Sequence, residues 1–496
     1  YIPSMGKTRL SQSYPIELRE WFVAISGGLT LAFSAWALGG VTTSAVHSLL
    51  FGGMITLVLA LVPFPRRLRS PLATLEFPFK SYVRLLKWPP FYFSLAFLVF
   101  LLIGALNPAI EQVHGEDGWW VEAVEAPYGT DLPTSVRSDY DPMNAWRALA
   151  SLTAAFTLVW GIWAGITRRK AVLFVLWSFL LSGAAMSFVG ILQYLTGAEA
   201  VLWTFPSSNQ HFWGSFFYRN QGAAFLNLVL VAAGVLFFYH ARKNNESGRS
   251  GGPHFLCFLL FAMAVTSIGL ALSRGGILFA AALSLIFLCL VGIHALRGID
   301  QISSIWAIVI PFFLLLFGAY TLMQYVDLDA IEKRFGDVGA SIENFDKDGR
   351  TLSTQATWDM AQDRLLLGWG AGSFRYIFPI YQKNYPEIFY GRYHKKKGWT
   401  GRKIYRYAHN DIVQFVAEFG LIGSGLVFLS ITWIVISAFR LPGFSALFLL
   451  VGFAASMCHA FIEFIFSSPA YWLAFTGLIA ASAKLLQLEG KRRIRS

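Results

Sequence analysis

Apolar residues run through this sequence in blocks of about twenty, with almost no charge inside them, from Trp21 to Leu486. A block of that length is what an α-helix needs to cross a hydrocarbon layer about 30 Å thick, and it is wider than the one-sided stripe of a surface helix. The pattern predicts helices at roughly 20–39, 46–63, 91–106, 147–166, 171–194, 220–240, 255–272, 277–295, 304–324, 411–437, 445–465 and 471–486. The expectation is an all-α polytopic membrane protein with about twelve transmembrane helices. No internal repeat or low-complexity tract organises the blocks, and the first is long enough to remain as a span.

Composition agrees. The chain is 55% hydrophobic and 14% charged, with 45 Phe and 17 Trp, against about 25% charged residues in a soluble domain. Soluble, disordered and collagen-like classes are excluded. Cys257, Cys289 and Cys458 all fall inside apolar blocks, which argues against a disulfide scaffold, a cysteine zinc site or a redox pair. A net charge of +12 raises nucleic acid as a partner, but the placement of the basic residues explains the charge better. With the N-terminus in the cytoplasm, 22 of the 40 Lys and Arg fall in inner segments, and the shorter outer loops hold only Arg137, Arg147, Arg219 and Arg274. The other fourteen lie in one long outer loop, 325–408, which by its length is exempt from the positive-inside rule. Twelve spans place both termini in the cytoplasm. The chain then divides into helices one to nine (1–324), the large and partly helical outer loop (325–408), and helices ten to twelve with a basic tail (409–496).

Two outer segments stand out. The first, 107–146, is acidic and rich in Pro and Trp. Within the second, residues 325–363 carry nine acidic and four basic side chains, whereas 364–408 carry ten basic and one acidic, Glu387. That second half is an anion-attracting surface beside the membrane.

Charge within a membrane is costly and usually functional, and here it gathers at outer helix ends. Arg219-Asn220 opens span six, Ser273-Arg274-Gly275-Gly276 closes span seven, and His409-Asn410-Asp411 opens span ten. Glu463 sits near the outer end of span eleven, one helical turn from His459. Asp411, Gln414 and Glu418 form a stripe that should face the bundle interior. A transporter would concentrate such groups near the midplane on interrupted helices; here the midplane is nearly bare, which favours an enzyme working on an amphiphile at the interface.

Each group also has a plain reading. Arg219 and Arg274 can snorkel to lipid head groups, although Gly275-Gly276 permits close approach by a ligand or another helix. His409 can be a bystander, although a cap by Asn410 or Asp411 places it at a positive helix end that keeps its imidazole neutral. Lys395-Lys396-Lys397 reads as a solvated run, and the aromatics from Phe374 to Tyr407 divide between an interfacial belt and a sugar-stacking surface. Gly368-Trp369-Gly370-Ala371-Gly372 lacks the Lys-Ser/Thr of a phosphate loop and reads as a turn. The helix before it, about 352–366, can lie on the membrane surface. Asp139/Asp141 and Asp327/Asp329 are weak divalent-ion pairs.

Taken together, Ser273 to Gly276, Leu366-Leu367-Gly368-Trp369-Gly370-Ala371-Gly372-Ser373-Phe374, and His409-Asn410-Asp411 with Glu418-Phe419-Gly420-Leu421-Ile422-Gly423 resemble the O-antigen ligase and polymerase superfamily. Phe216 to Gly222 is similar to the family's Arg-Asn-His segment, with Gln221 for the usual His. His459 to Phe464 is similar to its His-Ser-Leu-Val-Asp-Phe segment, with Glu463 for Asp. The likeness covers about 215–480. It implies a bacterial inner-membrane glycosyltransferase of lipopolysaccharide biosynthesis, facing the periplasm and using no cofactor or metal. Such an enzyme joins a glycan from an undecaprenyl-diphosphate carrier to an acceptor hydroxyl. In the ligases the acceptor is a lipid A core sugar; in O-antigen or exopolysaccharide polymerases it is another carrier-linked glycan, and protein O-oligosaccharyltransferases are related.

By this resemblance Arg219 and Arg274 hold the diphosphate and His409 acts at the acceptor. Glu463 and Asp411 are weaker candidates for orienting His409 or the acceptor, and Asn220, Ser273, Gly275, Asn410 and Glu418 play supporting parts. The roles suit the groups: guanidinium pairs bidentately with phosphate oxygens, and a general base contributes roughly 10²–10⁴ in rate. One direct displacement inverts the anomeric centre. A basic outer loop suits an anionic lipid acceptor and so favours the ligase. A lipid-linked glycan flippase is the alternative of a different class.

Overall fold

The computed structural model describes residues 18–62, 73–116, 118–248, 251–296, 349–394, 398–439 and 443–493. The predicted span 304–324, the Asp327/Asp329 pair and Lys395 to Lys397 lie outside the described residues.

The chain opens with α1 (Leu18–Phe33), α2 (Thr43–Leu61), α3 (Ala73–Leu86) and α4 (Pro89–Leu106). Strands β1 (Pro108–Gly115), β2 (Gly118–Ala123) and β3 (Ser135–Arg137) precede α5 (Ala145–Gly165), α6 (Arg169–Leu195), α7 (Arg219–Ser247), α8 (His254–Leu270) and α9 (Arg274–Leu296). After the next described segment begins come α10 (Gly349–Asp363), α11 (Phe374–Gln382), α12 (Pro386–Phe389), β4 (Tyr390–His394) and β5 (Gly398–Arg402). The chain closes with α13 (Asp411–Phe439), α14 (Phe444–Ala460) and α15 (Pro469–Arg493). Local chemistry sets several of these limits. The Thr42 hydroxyl caps α2 by accepting from the Ala45 amide, Asn144 caps α5 by accepting from the Arg147 amide, and Pro89 opens α4 without needing its missing N–H.

Helices occupy every predicted span that falls within the described residues. Among them, eight are long and apolar enough to cross a membrane, with α8 and α14 as shorter apolar helices, so the protein is a multi-pass membrane protein. The first predicted span ends early, because Leu38, Gly39 and Gly40 adopt left-handed backbone angles that turn the chain after α1. Between the predicted spans 46–63 and 91–106 the structure adds α3, which the pattern of apolar blocks did not predict.

Helix α7 is the axis: its apolar window is wholly buried, while those of α2 and α9 are each only one-third buried. It packs against α6, α8, α9, α14 and α15. Small residues allow this closeness, since a Cβ at Gly183 would collide with Val229, at Gly234 with Phe448, and at Gly452 with Val231.

The expectation of an all-α chain needs correction. Segment 107–146 forms a three-stranded sheet in the order β2-β1-β3, antiparallel between β1 and β2 and parallel between β1 and β3, and β4-β5 is a hairpin. Asn107, fully buried, organises the turn of the first segment: its side chain donates to the Gly129 and Pro133 carbonyls and accepts from the Tyr128 amide. The two outer segments then join in one cap with its own apolar core, including Val136, Met360, Phe374, Phe378 and Ala417. Tyr376 Oη lies 2.7 Å from Ser138 Oγ and donates to the Met143 carbonyl, and Arg364 donates to Thr134 Oγ1. Helix α10 therefore buries its apolar side against α11 and α13, and not on the membrane surface as its sequence suggested.

The glycine segment seats the cap. Gly420 (φ 62°, ψ −173°) breaks the regular angles of α13 and frees backbone groups there. Residues 365–370 take them up: the Trp369 and Gly370 amides donate to the Ala417 and Glu418 carbonyls, and the Leu421 and Ile422 amides donate to the Leu365 and Leu366 carbonyls. Gly370 has φ +98°, and a side chain there would overlap the Thr134 carbonyl. Gly370→Ala is expected to lower the unfolding temperature of the detergent-solubilised protein, with backbone strain alone worth about 1–3 kcal/mol. Tryptophan-fluorescence melting checks this, and an unchanged midpoint would mean that the segment is not seated as described.

Candidate active site

The N-terminal ends of α7, α9, α10 and α13 and the turn after α14 meet at one end of the bundle. At their junction lies Glu463, buried and just beyond the end of α14. Its Oε1 accepts from Asn220 Nδ2 and from Arg350 Nη2, each at 2.7 Å. Its Oε2 faces His409 Nδ1 at 3.6 Å, an ion-pair separation longer than a hydrogen bond. Burial pushes the Glu463 carboxyl up, but His409, Arg350 and His459 together outweigh it and hold the group below the ordinary range. The stabilisation from these contacts is therefore complete above the usual carboxyl value of 4.5 and is lost only as pH falls through the depressed value. Glu463 is a carboxylate throughout the neutral range.

His409 is held from both sides. The buried Ala408 amide before it donates to Gln414 Oε1, and Asn410 after it caps α13 by accepting from the Val413 amide. Between these pins His409 has φ 59°, a left-handed conformation that a non-glycine residue keeps only when its surroundings impose it. Its ring meets Phe464 edge-on at 4.6 Å, and Phe464 is itself stacked by Tyr407 at 4.8 Å and Tyr218 at 4.9 Å. With Nδ1 toward the carboxylate, Nε2 is the more remote ring nitrogen.

His409 lines a cavity of about 770 Å³ together with Tyr218, Tyr407, Phe464, Arg147, Lys403 and Arg406, and among the described residues no carboxylate lines it. Burial pushes the Tyr407 phenol up to about 12, so it stays a neutral donor at neutral pH. Arg147 is fixed by Asp141 at 2.9 Å and by the Gly40 and Val41 carbonyls, each at 2.7 Å. Asp141 also accepts from Thr43, so that carboxylate is already engaged. Among the described residues no group of three or more His, Cys, Asp or Glu comes together to hold a metal ion.

The other sequence candidates sort by geometry. Asp411, Gln414 and Glu418 are all buried, as a stripe facing inward should be. Asp411 accepts from the Phe466 amide, tying α13 to the turn before α15. Glu418 accepts from the Gly372 and Phe374 amides and from Gln414, so it anchors the cap. Ser273 caps α9 through the Gly276 amide. Of the two openings left for Gly275-Gly276, the structure takes the helix contact: a Cβ at Gly275 would lie 2.7 Å from His459 Nε2, and one at Gly276 would meet Ala223. Arg219 and Arg274 adjoin Asn220 and Gly275, which touch Glu463 and His459, but neither arginine lines the cavity. Gln221, at the position of the family's usual His, joins α7 to Ser467 at 2.7 Å.

Sequence reasoning missed Arg350, Arg147 and Tyr218 as neighbours of this site, whereas Lys403, Arg406 and Tyr407 belong to the basic and aromatic half of the loop that it singled out. Arg350, in the acidic half of the loop, offered no signal.

Residues 258–428 match the family described as O-antigen ligase. That match supports membership in the O-antigen ligase-like superfamily. The matched segment carries Arg274, His409 and Glu418, whereas Arg219 and Glu463 lie on either side of it. No curated protein gives a significant match to the chain. Members of the matched family are glycosyltransferase-like ligases or polymerases.

Two carboxylates of this site should separate by experiment. Glu418→Gln replaces an acceptor with a donor opposite backbone amides, a loss of about 1–3 kcal/mol in stability with little change in turnover of the protein that remains folded. Glu463→Gln should lower turnover about tenfold or more at neutral pH while the protein still folds. Melting and transfer rates measured on both variants check this; the reverse pattern would exchange their roles.

Proposed function

We propose that this protein transfers a glycan from an undecaprenyl-diphosphate carrier to an acceptor sugar hydroxyl, as an O-antigen ligase acting at the periplasmic face of a bacterial inner membrane. The observation that carries the reading is His409 backed by the Glu463 carboxylate at the wall of a large cavity lined with aromatic and cationic side chains. A cavity of this volume admits several sugar-sized groups. Lys403, Arg406 and Arg147, the charged side chains that line it among the described residues, suit a phosphorylated lipid A core as acceptor.

In the proposed reaction the acceptor hydroxyl donates its proton to His409 Nε2 as its oxygen attacks the anomeric carbon. The bond from that carbon to the diphosphate oxygen breaks, its electron pair leaves with undecaprenyl diphosphate, and the centre inverts. Glu463 stabilises the imidazolium formed in this step, in the way that a buried carboxylate supports a catalytic histidine. Arg219 and Arg274, at the N-terminal ends of α7 and α9, offset the charge of the departing diphosphate together with the helix dipoles. No metal is required in this scheme.

Purified protein given carrier-linked glycan and candidate acceptors in excess EDTA should form product, and His409→Ala should abolish it. Product identity names the acceptor and so separates ligase, polymerase and protein glycosylation. Activity that requires added magnesium or manganese, or near-normal turnover by H409A, would sink the mechanism. Orientation is tested independently: a cysteine at Trp399 should react with an impermeant thiol reagent from the periplasm and one at Ser247 should not, whereas reversed labelling would place the site in the cytoplasm.

A further inference from the structure

We propose that Arg350 is a positioning residue that shares the Glu463 carboxylate with His409, so that seating of α10 sets how strongly that carboxylate holds the imidazole. The inference rests on the base role of His409 proposed above for its catalytic meaning, but not for the coupling itself.

The two oxygens of Glu463 divide their work. Oε1 takes Asn220 from α7 and Arg350 from α10, each at 2.7 Å, while Oε2 is the oxygen toward His409. Arg350 also reaches the Ile462 carbonyl beside Glu463, at 3.4 Å. Arg350 lies on α10. The pair also crosses between units that sequence keeps far apart, since α10 belongs to the cap and Glu463 to the bundle. A shift of α10 changes the charge that Glu463 presents to His409.

The charged and titratable groups around this carboxylate are Arg350, His409, His459 and Asp411, and Arg147, Lys403 and Arg406 lie on the cavity side of His409. Of these, Arg350 and His409 compete for the same negative charge. Arg350→Gln removes the guanidinium from that charge, which leaves more of it to His409 and strengthens its hold on a proton, whereas Glu463→Gln weakens it.

Two readouts test this on the full-length protein in detergent or nanodiscs. The first needs no turnover: the rate of diethylpyrocarbonate modification of His409, followed by peptide mass spectrometry against pH, reports the neutral imidazole. Its midpoint should move to higher pH by about 0.5–1 unit in R350Q and to lower pH in E463Q, with R350K near wild type. The second is transfer: R350Q should lose about tenfold or more in kcat with KM changed less than threefold, and R350K should recover most of it. An unshifted R350Q midpoint overturns the coupling whatever His409→Ala does. A shifted midpoint with full transfer by H409A keeps the coupling and removes the base role instead. A loss in R350Q that follows the melting temperature, with no rescue by Lys, makes the residue a tether of the cap and overturns the proposal.

Discussion

The structure depends on one buried carboxylate. Glu463 has no place in an apolar environment unless its charge is met, and the groups that meet it come from elements distant in the chain: Asn220 on α7, Arg350 on α10 and His409 just before α13. Satisfying that one group draws the ends of the helices to a common point. The same contacts hold a histidine beside a carboxylate at the wall of a cavity, so the requirement that stabilises the junction also gives it chemical potential.

Around that junction, backbone irregularity does what side chains alone cannot. The break at Gly420 exposes amides and carbonyls ten residues into a long apolar helix, and the segment 365–370 satisfies them. Irregular backbone at such depth is tolerated only where protein covers it. The left-handed angle at His409 is the second irregularity, imposed by Gln414 on one side and the Asn410 cap on the other. Glu418 links the two by holding the Gly372 and Phe374 amides while accepting from Gln414. Cap and histidine are thus fixed by one short run of α13.

The cavity lies among helix ends and cap segments, away from the middle of the spans. Its lining combines stacked aromatics with lysine and arginine, the surroundings expected for a charged head group met by a soluble or lipid-borne sugar. A transporter of similar size would be expected to place its polar groups along a path through the bundle, and α7, which runs through the centre, is apolar and wholly buried over its span.

The sequence by itself determined which segments are apolar helices, because about twenty uncharged residues have no other stable form in a bilayer. It also located the polar ends of those helices, since charge is too costly to leave elsewhere, and the inward stripe of Asp411, Gln414 and Glu418, which follows from helical spacing alone. Only the tertiary structure decided what those groups touch. Glu418 reads as a supporting site residue in sequence and is engaged by backbone amides of the cap; Gly275-Gly276 reads as room for a ligand or another helix and admits His459 and Ala223. Arg350 and Arg147 carry no local signature, because each acts on a partner more than a hundred residues away, Glu463 and the Gly40 carbonyl. The sheet of 107–146 was equally silent, being short, aromatic and stabilised by a cap that the second loop completes. Periodicity and the cost of buried charge act within a segment and are legible there, whereas pairing between segments depends on the order in which helices pack, which no single stretch of sequence contains.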